Sequence, residues 1–185
     1  MRKLINLIID DITTLKIDAI VNSANKSLLG GGGLDYIIQR KAGIEMQNEC
    51  LRIHNEKGGA LPNGEAVVTT AGNLPCKFLI HAIAPRWLGG TKNEAEELCN
   101  AYLNSLIQAN AIHAKTIAFP SLSTGVYRYP KQEAAEIAIG TVLSSLNSFE
   151  NIEHVYFVCF EQQNYQIYKT ILSDLDDPNL EISII

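Results

Sequence analysis

A strand, a run of four glycines and a helix follow one another between Asp18 and Gly43, and this segment constrains the fold more than any other. Asp18–Asn22 is short, apolar and β-branched, as a buried strand would be. Gly30–Gly33 come next, and the apolar spacing that begins at Leu34 predicts a helix. Consecutive glycines lose much conformational entropy on ordering, so a compact domain keeps them where the backbone needs positive φ or closely approaches something. The segment predicts a strand that ends at polar residues, a glycine loop and a helix.

Such a loop has a clear chemical use. Free backbone N–H groups ahead of a helix, together with the helix dipole, favour an anion such as phosphate. The spacing matches neither a Walker loop nor the G-x-G-x-x-G dinucleotide fingerprint. Composition alone also allows a flexible surface linker, but the flanking apolar strand and helix argue against one.

A second loop of this kind follows the predicted strand Lys115–Phe119. Pro120 stops that strand, and Ser121–Tyr127 supplies small hydroxyl residues and a glycine ahead of a predicted helix, Lys131–Leu146. Two strand-to-helix loops in one small α/β domain predict a diphosphate held between them, at the carboxyl ends of neighbouring strands.

The rest of the chain alternates strands with helices, which predicts one domain, residues 1–185, folded as a three-layer α/β/α sandwich with a mixed sheet. Further strands are predicted at Lys3–Ile9, Glu65–Thr70, Lys77–Ile83 and His154–Phe160, and further helices at Leu34–Cys50 (interrupted at Ala42-Gly43), Asn93–Ala111 and Glu161–Ser173. The second and third of these strands are predicted to be antiparallel neighbours. His81 lies inside the third, where a buried histidine is more often a hydrogen-bonded core residue than a catalyst. The acidic end, Asp174–Ile185, is predicted to be loosely held or bound at an edge.

Composition excludes several classes of function. The 185 residues carry a formal charge of −5 and no basic cluster, which disfavours bulk nucleic acid as a partner. The four cysteines are widely spaced, with no C-x-x-C pair or histidine cluster, so we expect neither a metal nor another cofactor. The apolar start is too short for a signal peptide and no long apolar run follows, so we expect a cytoplasmic protein without a membrane span.

The loop residues also resemble a known family. Asn22 to Asn25, followed by Leu28 to Asp35, resembles the ADP-ribose loop of macrodomains, specifically the MacroD-type hydrolases. The resemblance extends to Asp11–Thr13, His81–Pro85 and Ala118–Pro120, and to Ser121–Pro130 (SLSTGVYRYP). It therefore spans nearly the whole chain in order.

The resemblance implies a set of site residues. Asp11 and Ile12 would contact an adenine, although a plain Asp/Thr cap remains the alternative for Asp11. The residues that would surround the diphosphate and the proximal ribose are Ala24, Gly32, Gly33, Ser123, Thr124, Gly125, Val126 and Tyr127. Phe160 would stack on the adenine face. Packing is the competing account for both Tyr127 and Phe160.

The catalytic hypothesis inherited from the resemblance rests on Asn22, Asn25 and Asp35. Asp35 would orient a water, Asn25 would fix the ribose, and Asn22 would support the loop from behind. From the residues alone, the asparagines could equally end a strand while Asp35 caps a helix. The partners implied are ADP-ribose, its esters and mono-ADP-ribosylated proteins, and we expect a monomer.

Three residues depart from the family pattern, two of them close to Asp35 in the sequence and one in the second loop. Tyr36 and Gln39 replace a glycine and a histidine of the family, so we expect a bulky ring beside the carboxylate. Arg128 replaces a glycine, and would strain the second loop if that position needs positive φ.

The activity implied is hydrolysis of ester-linked ADP-ribose, namely O-acetyl-ADP-ribose or ADP-ribosyl Asp/Glu on proteins, without a metal. The alternatives are a reader module that binds ADP-ribose without hydrolysing it, a phosphatase acting on ADP-ribose-1''-phosphate, and a structural nucleotide-binding subunit.

Overall fold

A computed structural model describes residues 2–185, and its centre is a seven-stranded mixed sheet in the order β3-β4-β2-β5-β6-β1-β7. The strands are β1 Lys3–Ile9, β2 Ala19–Ala24, β3 Ala66–Thr70, β4 Phe78–Ile83, β5 Thr116–Pro120, β6 His154–Cys159 and β7 Leu180–Ile184. Only β3 is antiparallel to its neighbour, β4; the other strand pairs are parallel. The predicted mixed sheet and the antiparallel pair are therefore confirmed.

Helices cover both faces of this sheet. They are α1 Leu34–Ala42, α2 Ile44–Glu56, α3 Glu94–Ala111, α4 Lys131–Ser145 and α5 Gln162–Ser173. Alternate residues of each central strand point to opposite faces, so the sheet contributes to two apolar clusters. Val21 and Phe119 face the cluster under α3, α4 and α5, whereas Ile20 and Ala118 face the cluster under α1 and α2. The three-layer α/β/α arrangement is confirmed.

Two strand ends that differ from the sequence prediction concern candidate site residues. β2 continues through Asn22 to Ala24, because the Asn22 backbone pairs with His81 of β4 and its buried side chain has hydrogen-bond partners. β6 ends at Cys159, so Phe160 lies outside it. The acidic terminus is bound at an edge, since β7 pairs with β1.

No helix within residues 2–185 is both long enough and apolar enough to cross a membrane.

Candidate functional site

A cavity of about 660 Å³ lies at the carboxyl edge of the parallel strands. Its walls come from the segments that directly follow β1, β2, β5 and β6. These four strands are adjacent and parallel in the sheet, so their following loops converge on one edge. The predicted convergence of the two glycine-containing loops is thus observed.

The first loop leads from β2 into α1 through several unusual backbone conformations. Leu28, Gly30 and Gly33 all have φ between +61° and +100°. Gly33 is the N-cap of α1, with no side-chain cap, so the helix begins with free N–H groups. A Cβ added to Gly32 or Gly33 would have no heavy atom within 4 Å, and both residues are exposed in the cavity wall, which leaves their backbone accessible to a ligand.

Asp35, in the first turn of α1, is the most buried carboxylate of the cavity wall. Its exposed fraction is 2%, and its Oδ1 accepts a hydrogen bond from Asn22 Nδ2 at 2.7 Å. Its Oδ2 is buried without a hydrogen-bond partner in the described chain. Burial raises the pKa of Asp35, and the hydrogen bond from Asn22 offsets part of this effect. The carboxylate is thus held on one side and has free acceptor capacity on the other.

Asn22 does not line the cavity. Its side chain is completely buried behind Asp35, and Nδ2 also lies 3.1 Å from Nδ1 of His81. Ala24 is likewise buried in the core under α1 and α2 and outside the cavity wall. The structure therefore brings Asn22 to the catalytic candidate without exposing it.

Asn25 does line the cavity, and its amide holds the glycine loop. Nδ2 donates to the carbonyl of Gly30, and Oδ1 accepts from Ser27 Oγ at 2.8 Å. A Cβ built on Gly31 would lie 3.1 Å from Asp35 Oδ2 and 3.3 Å from Asn25 Nδ2. Asn25 and Asp35 therefore both lie against Gly31, where a Cβ would be in unusually tight contact with each of them.

The second loop faces the first across the cavity. Ser123 has φ +65°, and its hydroxyl donates to the carbonyl of Pro85 at 2.6 Å, which fixes the loop to the segment after β4. The N–H groups of Gly125, Val126 and Tyr127 form no hydrogen bond within residues 2–185. These three amides, with those of Gly32 and Gly33, which are also free, are suited to an anion between the loops.

The end of this loop contains two further residues that the sequence singled out, Tyr127 and Arg128. Tyr127 is half-buried and lines the cavity, and the Arg86 guanidinium lies 5.4 Å from its ring centroid. Arg128 has φ +56°, so a position that suits glycine carries an arginine in the left-handed region. The backbone at that position is therefore strained.

The end of the cavity away from β2 is formed by Asp11, Ile12 and Phe160, which follow β1 and β6, together with Lys41 of α1. In the sheet, β1 and β6 lie on the far side of β5 from β2. Asp11 caps a short 3₁₀ turn: Oδ1 accepts from the Thr13 N–H at 2.9 Å, and Oδ2 accepts from Lys41 Nζ at 3.0 Å. Burial would raise the pKa of Asp11, but the hydrogen bonds from Thr13 and Lys41 together hold it below its ordinary value. The capping role considered for Asp11 is confirmed, and the residue lines the cavity as well.

Phe160 is 84% exposed and borders the cavity, so the alternative that it packs in the core is wrong. A strand end one residue earlier than predicted places its ring in solvent. An exposed aromatic ring beside a cavity can stack on a planar ligand group.

Sequence reasoning missed several residues of the cavity wall, notably Gly31, Lys41, Ser121 and Asn164. Gly31 belongs to the glycine run, and Ser121 opens the second loop, so their positions in the chain could have indicated them. Lys41 and Asn164 belong to α1 and α5, and reach the cavity only because of how those helices pack.

Tyr36 does not sit beside the Asp35 carboxylate. It is exposed in a separate groove on the other side of the glycine loop, where its hydroxyl accepts from Arg40 at 3.3 Å. Gln39 is buried, and its side chain donates to the Leu28 carbonyl at 3.3 Å. The expectation of a bulky ring beside the carboxylate was wrong, because successive residues of a helix point in different directions.

Residues 2–185 contain no group of three or more His, Cys, Asp or Glu side chains placed to hold a metal ion.

Comparisons with known proteins agree with this geometry. The model of the family described as "Macro domain" matches residues 21–138. A "Macro domain-containing protein" from Acinetobacter sp. (strain ED45-25) is 60% identical, over 98% of this chain and 99% of its own length. An "O-acetyl-ADP-ribose deacetylase" from Enterobacter sp. (strain 638) is 48% identical, over 93% and 95% respectively.

A solved structure supports the same grouping. A glycine-to-valine mutant of the Oceanobacillus iheyensis macrodomain, solved with ADPR (ADP-ribose), superposes with a TM-score of 0.85 at 39% identity, over 92% of this chain and 91% of that one. With the family model, the close relatives and this fold in agreement, the chain belongs to the macro domain family.

Proposed function

We propose that this macro domain binds ADP-ribose in the cavity and hydrolyses esters of its proximal ribose. The substrates would be O-acetyl-ADP-ribose and proteins that carry mono-ADP-ribose on Asp or Glu. The observation that carries the proposal is the position of Asp35, a buried carboxylate in the wall of a cavity between two loops with free N–H groups. The activity and ligand named for the relatives above support the same reaction.

The orientation of the ligand follows from the chemistry of the two ends. The diphosphate would lie between the amides of Gly33 and Val126, which carry no charge but can donate hydrogen bonds. The adenine would lie against Phe160 and Ile12, since these are apolar and at the far end from Asp35. The proximal ribose would then reach Asp35.

The hydrolytic step would use a water positioned by Asp35. No histidine or cysteine lines the described cavity, so a Ser-His-Asp or Cys-His arrangement is not the mechanism proposed. Water oxygen would attack the ester carbonyl carbon while Asp35 accepts a proton from that water. The bond between the carbonyl carbon and the ribose oxygen then breaks, and the proton passes to that oxygen. The raised pKa of Asp35 makes the carboxylate a stronger base for this step than an exposed aspartate.

Replacing Asp35 tests the proposal. Asp35→Ala should lower turnover by a factor on the order of 10² or more while the Kd for ADP-ribose changes by less than about tenfold. Turnover is measured as acetate release from O-acetyl-ADP-ribose and as label release from Glu/Asp-linked ADP-ribosylated protein. Asp176→Ala, which removes an exposed aspartate near the end of the chain, is the matched control. Unchanged turnover in Asp35→Ala would remove Asp35 from the mechanism.

The other functions predict different results for the wild-type protein. Binding of ADP-ribose without any release would identify a reader module. Phosphate release from ADP-ribose-1''-phosphate, with no ester hydrolysis, would identify a phosphatase. Tighter binding of ATP or NAD than of ADP-ribose in isothermal titration would indicate a structural nucleotide-binding subunit.

A further inference from the structure

A chain of buried hydrogen bonds runs from Asp35 into the core, away from the cavity. Asn22 Nδ2 lies 2.7 Å from Asp35 Oδ1 and 3.1 Å from His81 Nδ1, and both Asn22 and His81 are fully buried. Asn22 and His81 are register partners in the parallel strands β2 and β4. The sheet therefore fixes the two side chains next to each other.

The far side of the His81 ring faces a hydroxyl and a thiol, and each of them can accept a hydrogen bond from Nε2. Nε2 is 2.8 Å from Thr69 Oγ1 and 3.7 Å from Cys50 Sγ. The hydroxyl of Thr69 donates its only hydrogen to the Thr70 carbonyl at 2.9 Å, and the thiol of Cys50 donates to Met46 Sδ at 3.4 Å. On the near side, the ionised Asp35 carboxylate can only accept, so the Asn22 group that faces it is the Nδ2 amide. The same Nδ2 faces His81 Nδ1, which must therefore accept, and the ring proton lies on Nε2, where Thr69 Oγ1 accepts it.

The other ring nitrogen is then a bare acceptor. Complete burial lowers the pKa of His81 to about 4, so the ring is neutral at physiological pH and carries a single proton. With that proton on Nε2, Nδ1 accepts one hydrogen of Asn22 Nδ2. The second hydrogen of Nδ2 goes to Asp35 Oδ1. The opposite orientation of the Asn22 amide would place its oxygen against both His81 Nδ1 and the Asp35 carboxylate, so that three acceptors would face one another.

We propose that His81 is a positioning residue: its bare Nδ1 fixes the orientation of the Asn22 amide, which in turn holds the Asp35 carboxylate. The order of action is Thr69 to His81 to Asn22 to Asp35, and only Asp35 reaches the cavity. The consequence for turnover rests on the hydrolase function proposed above, whereas the tautomer of His81 does not.

Two substitutions of His81 separate positioning from packing. In His81→Asn, the side-chain oxygen replaces Nδ1, so the acceptor for Asn22 is kept and the contact with Thr69 is lost. In His81→Gln, the longer amide reaches the position of Nε2, so the contact with Thr69 is kept and the acceptor for Asn22 is lost. The two variants differ in which half of the ring they imitate, and Asn also removes one methylene more than Gln, so a loss caused by packing alone would be larger in His81→Asn.

We expect His81→Gln to lower kcat for ester hydrolysis by about tenfold or more, because the carboxylate is no longer held. KM and the Kd for ADP-ribose should change by less than about threefold, since His81 does not line the cavity. His81→Asn should keep most of the wild-type kcat although it loses a hydrogen bond. Equal losses of kcat in both variants, or losses that appear in KM, would overturn the proposal.

A measurement on the wild-type protein does not depend on activity or on the folding of variants. Nitrogen NMR of the histidine ring distinguishes a protonated Nε2 from a protonated Nδ1, and we expect His81 with the proton on Nε2. A proton on Nδ1 would turn the Asn22 amide around and overturn the proposal. If the wild-type protein hydrolyses no ester but shows the Nε2 tautomer, the hydrolase function fails while the hydrogen-bond chain behind Asp35 stands.

Discussion

Asp11 and Asp35 line the same cavity, yet their surroundings shift the two pKa values in opposite directions. The Asp11 side chain is 41% exposed and accepts hydrogen bonds from Thr13 and Lys41, which keep it charged. Asp35 is 2% exposed and has one hydrogen-bond partner, Asn22, so burial dominates. The two aspartates are therefore suited to different tasks: the charged Asp11 to holding a ligand, and the buried Asp35 to accepting a proton.

The helix dipole acts against this contrast. Asp35 lies in the first turn of α1, where the dipole favours a negative charge. Burial acts in the opposite direction and raises the pKa of Asp35. If the comparison is correct, changes near Asp35 should affect turnover, and changes near Asp11 should affect binding.

After Asp35→Ala itself, the largest effect is expected from Gly31→Ala at the Asp35 end. The new Cβ would lie 3.1 Å from Asp35 Oδ2, so the carboxylate has to shift by a few tenths of an ångström. We expect kcat to fall between about tenfold and a hundredfold, with a smaller change in the Kd for ADP-ribose. Steady-state kinetics and isothermal titration measure the two quantities.

Gly140→Ala is the matched control for this substitution. Gly140 is an exposed position of α4, and a Cβ added there would have no heavy atom within 4 Å. Alanine there should leave kcat unchanged and raise the free energy of unfolding by about 0.5–1 kcal/mol. An unchanged kcat in Gly31→Ala as well would show that the position of the carboxylate does not limit the reaction.

Phe160→Ala should produce the reverse split at the Asp11 end. Loss of stacking on an adenine is expected to weaken binding of ADP-ribose by about 1–3 kcal/mol, which is about 5- to 150-fold in Kd. The exposed ring supports no core packing, so the melting temperature should hardly change. Titration with ADP-ribose and with ribose-5-phosphate, which lacks the adenine, provides the test; equal affinities of wild type and variant for ADP-ribose would place the adenine elsewhere.

The pH dependence of stability should differ in sign between the two carboxylates. Because the folded-state pKa of Asp35 is raised above 3.8, the folded protein binds that proton more tightly, and the contribution of Asp35 to stability falls as pH rises through the raised pKa. Because the folded-state pKa of Asp11 is lowered, its contribution is present above 3.8 and is lost as pH falls through the lowered pKa.

Asn substitutions isolate these two contributions. Relative to wild type, Asp35→Asn should gain stability as pH rises from acid to neutral, whereas Asp11→Asn should lose it. Denaturant unfolding at a series of pH values measures both differences. Differences of the same sign would contradict the contrast between the two sites.

Lys41→Met should give the smallest effect. The Lys41–Asp11 pair is partly exposed on both sides, so its loss is expected to cost no more than about 1 kcal/mol of stability. Affinity for ADP-ribose should change by less than about fivefold, since Thr13 still holds Asp11. A much larger loss of affinity, measured by titration, would show that Lys41 contacts the ligand directly.

Prediction from sequence succeeded where the signal is local. Apolar periodicity located the strands and helices, and the four glycines marked a loop whose backbone does take positive φ at Gly30 and Gly33. Prediction was less accurate at the ends of strands. Asn22 was expected to end β2 but lies inside it, whereas Phe160 was expected inside β6 but lies beyond its end. Polar side chains end a strand only when they lack partners in the fold, and Asn22 has two.

By itself, the sequence determined that two strand-to-helix loops, rich in glycine and small residues, would meet at one edge of a mixed sheet. The reason is that parallel strands bring their carboxyl ends to the same edge. Tertiary structure alone decided the surroundings of each carboxylate: that Asp35 is buried against Asn22, that His81 lies behind them, and that Lys41 reaches Asp11. These contacts join residues far apart in the chain through sheet register and helix packing. Burial and long-range hydrogen bonding depend on all the neighbouring elements at once, so local sequence carries little information about them.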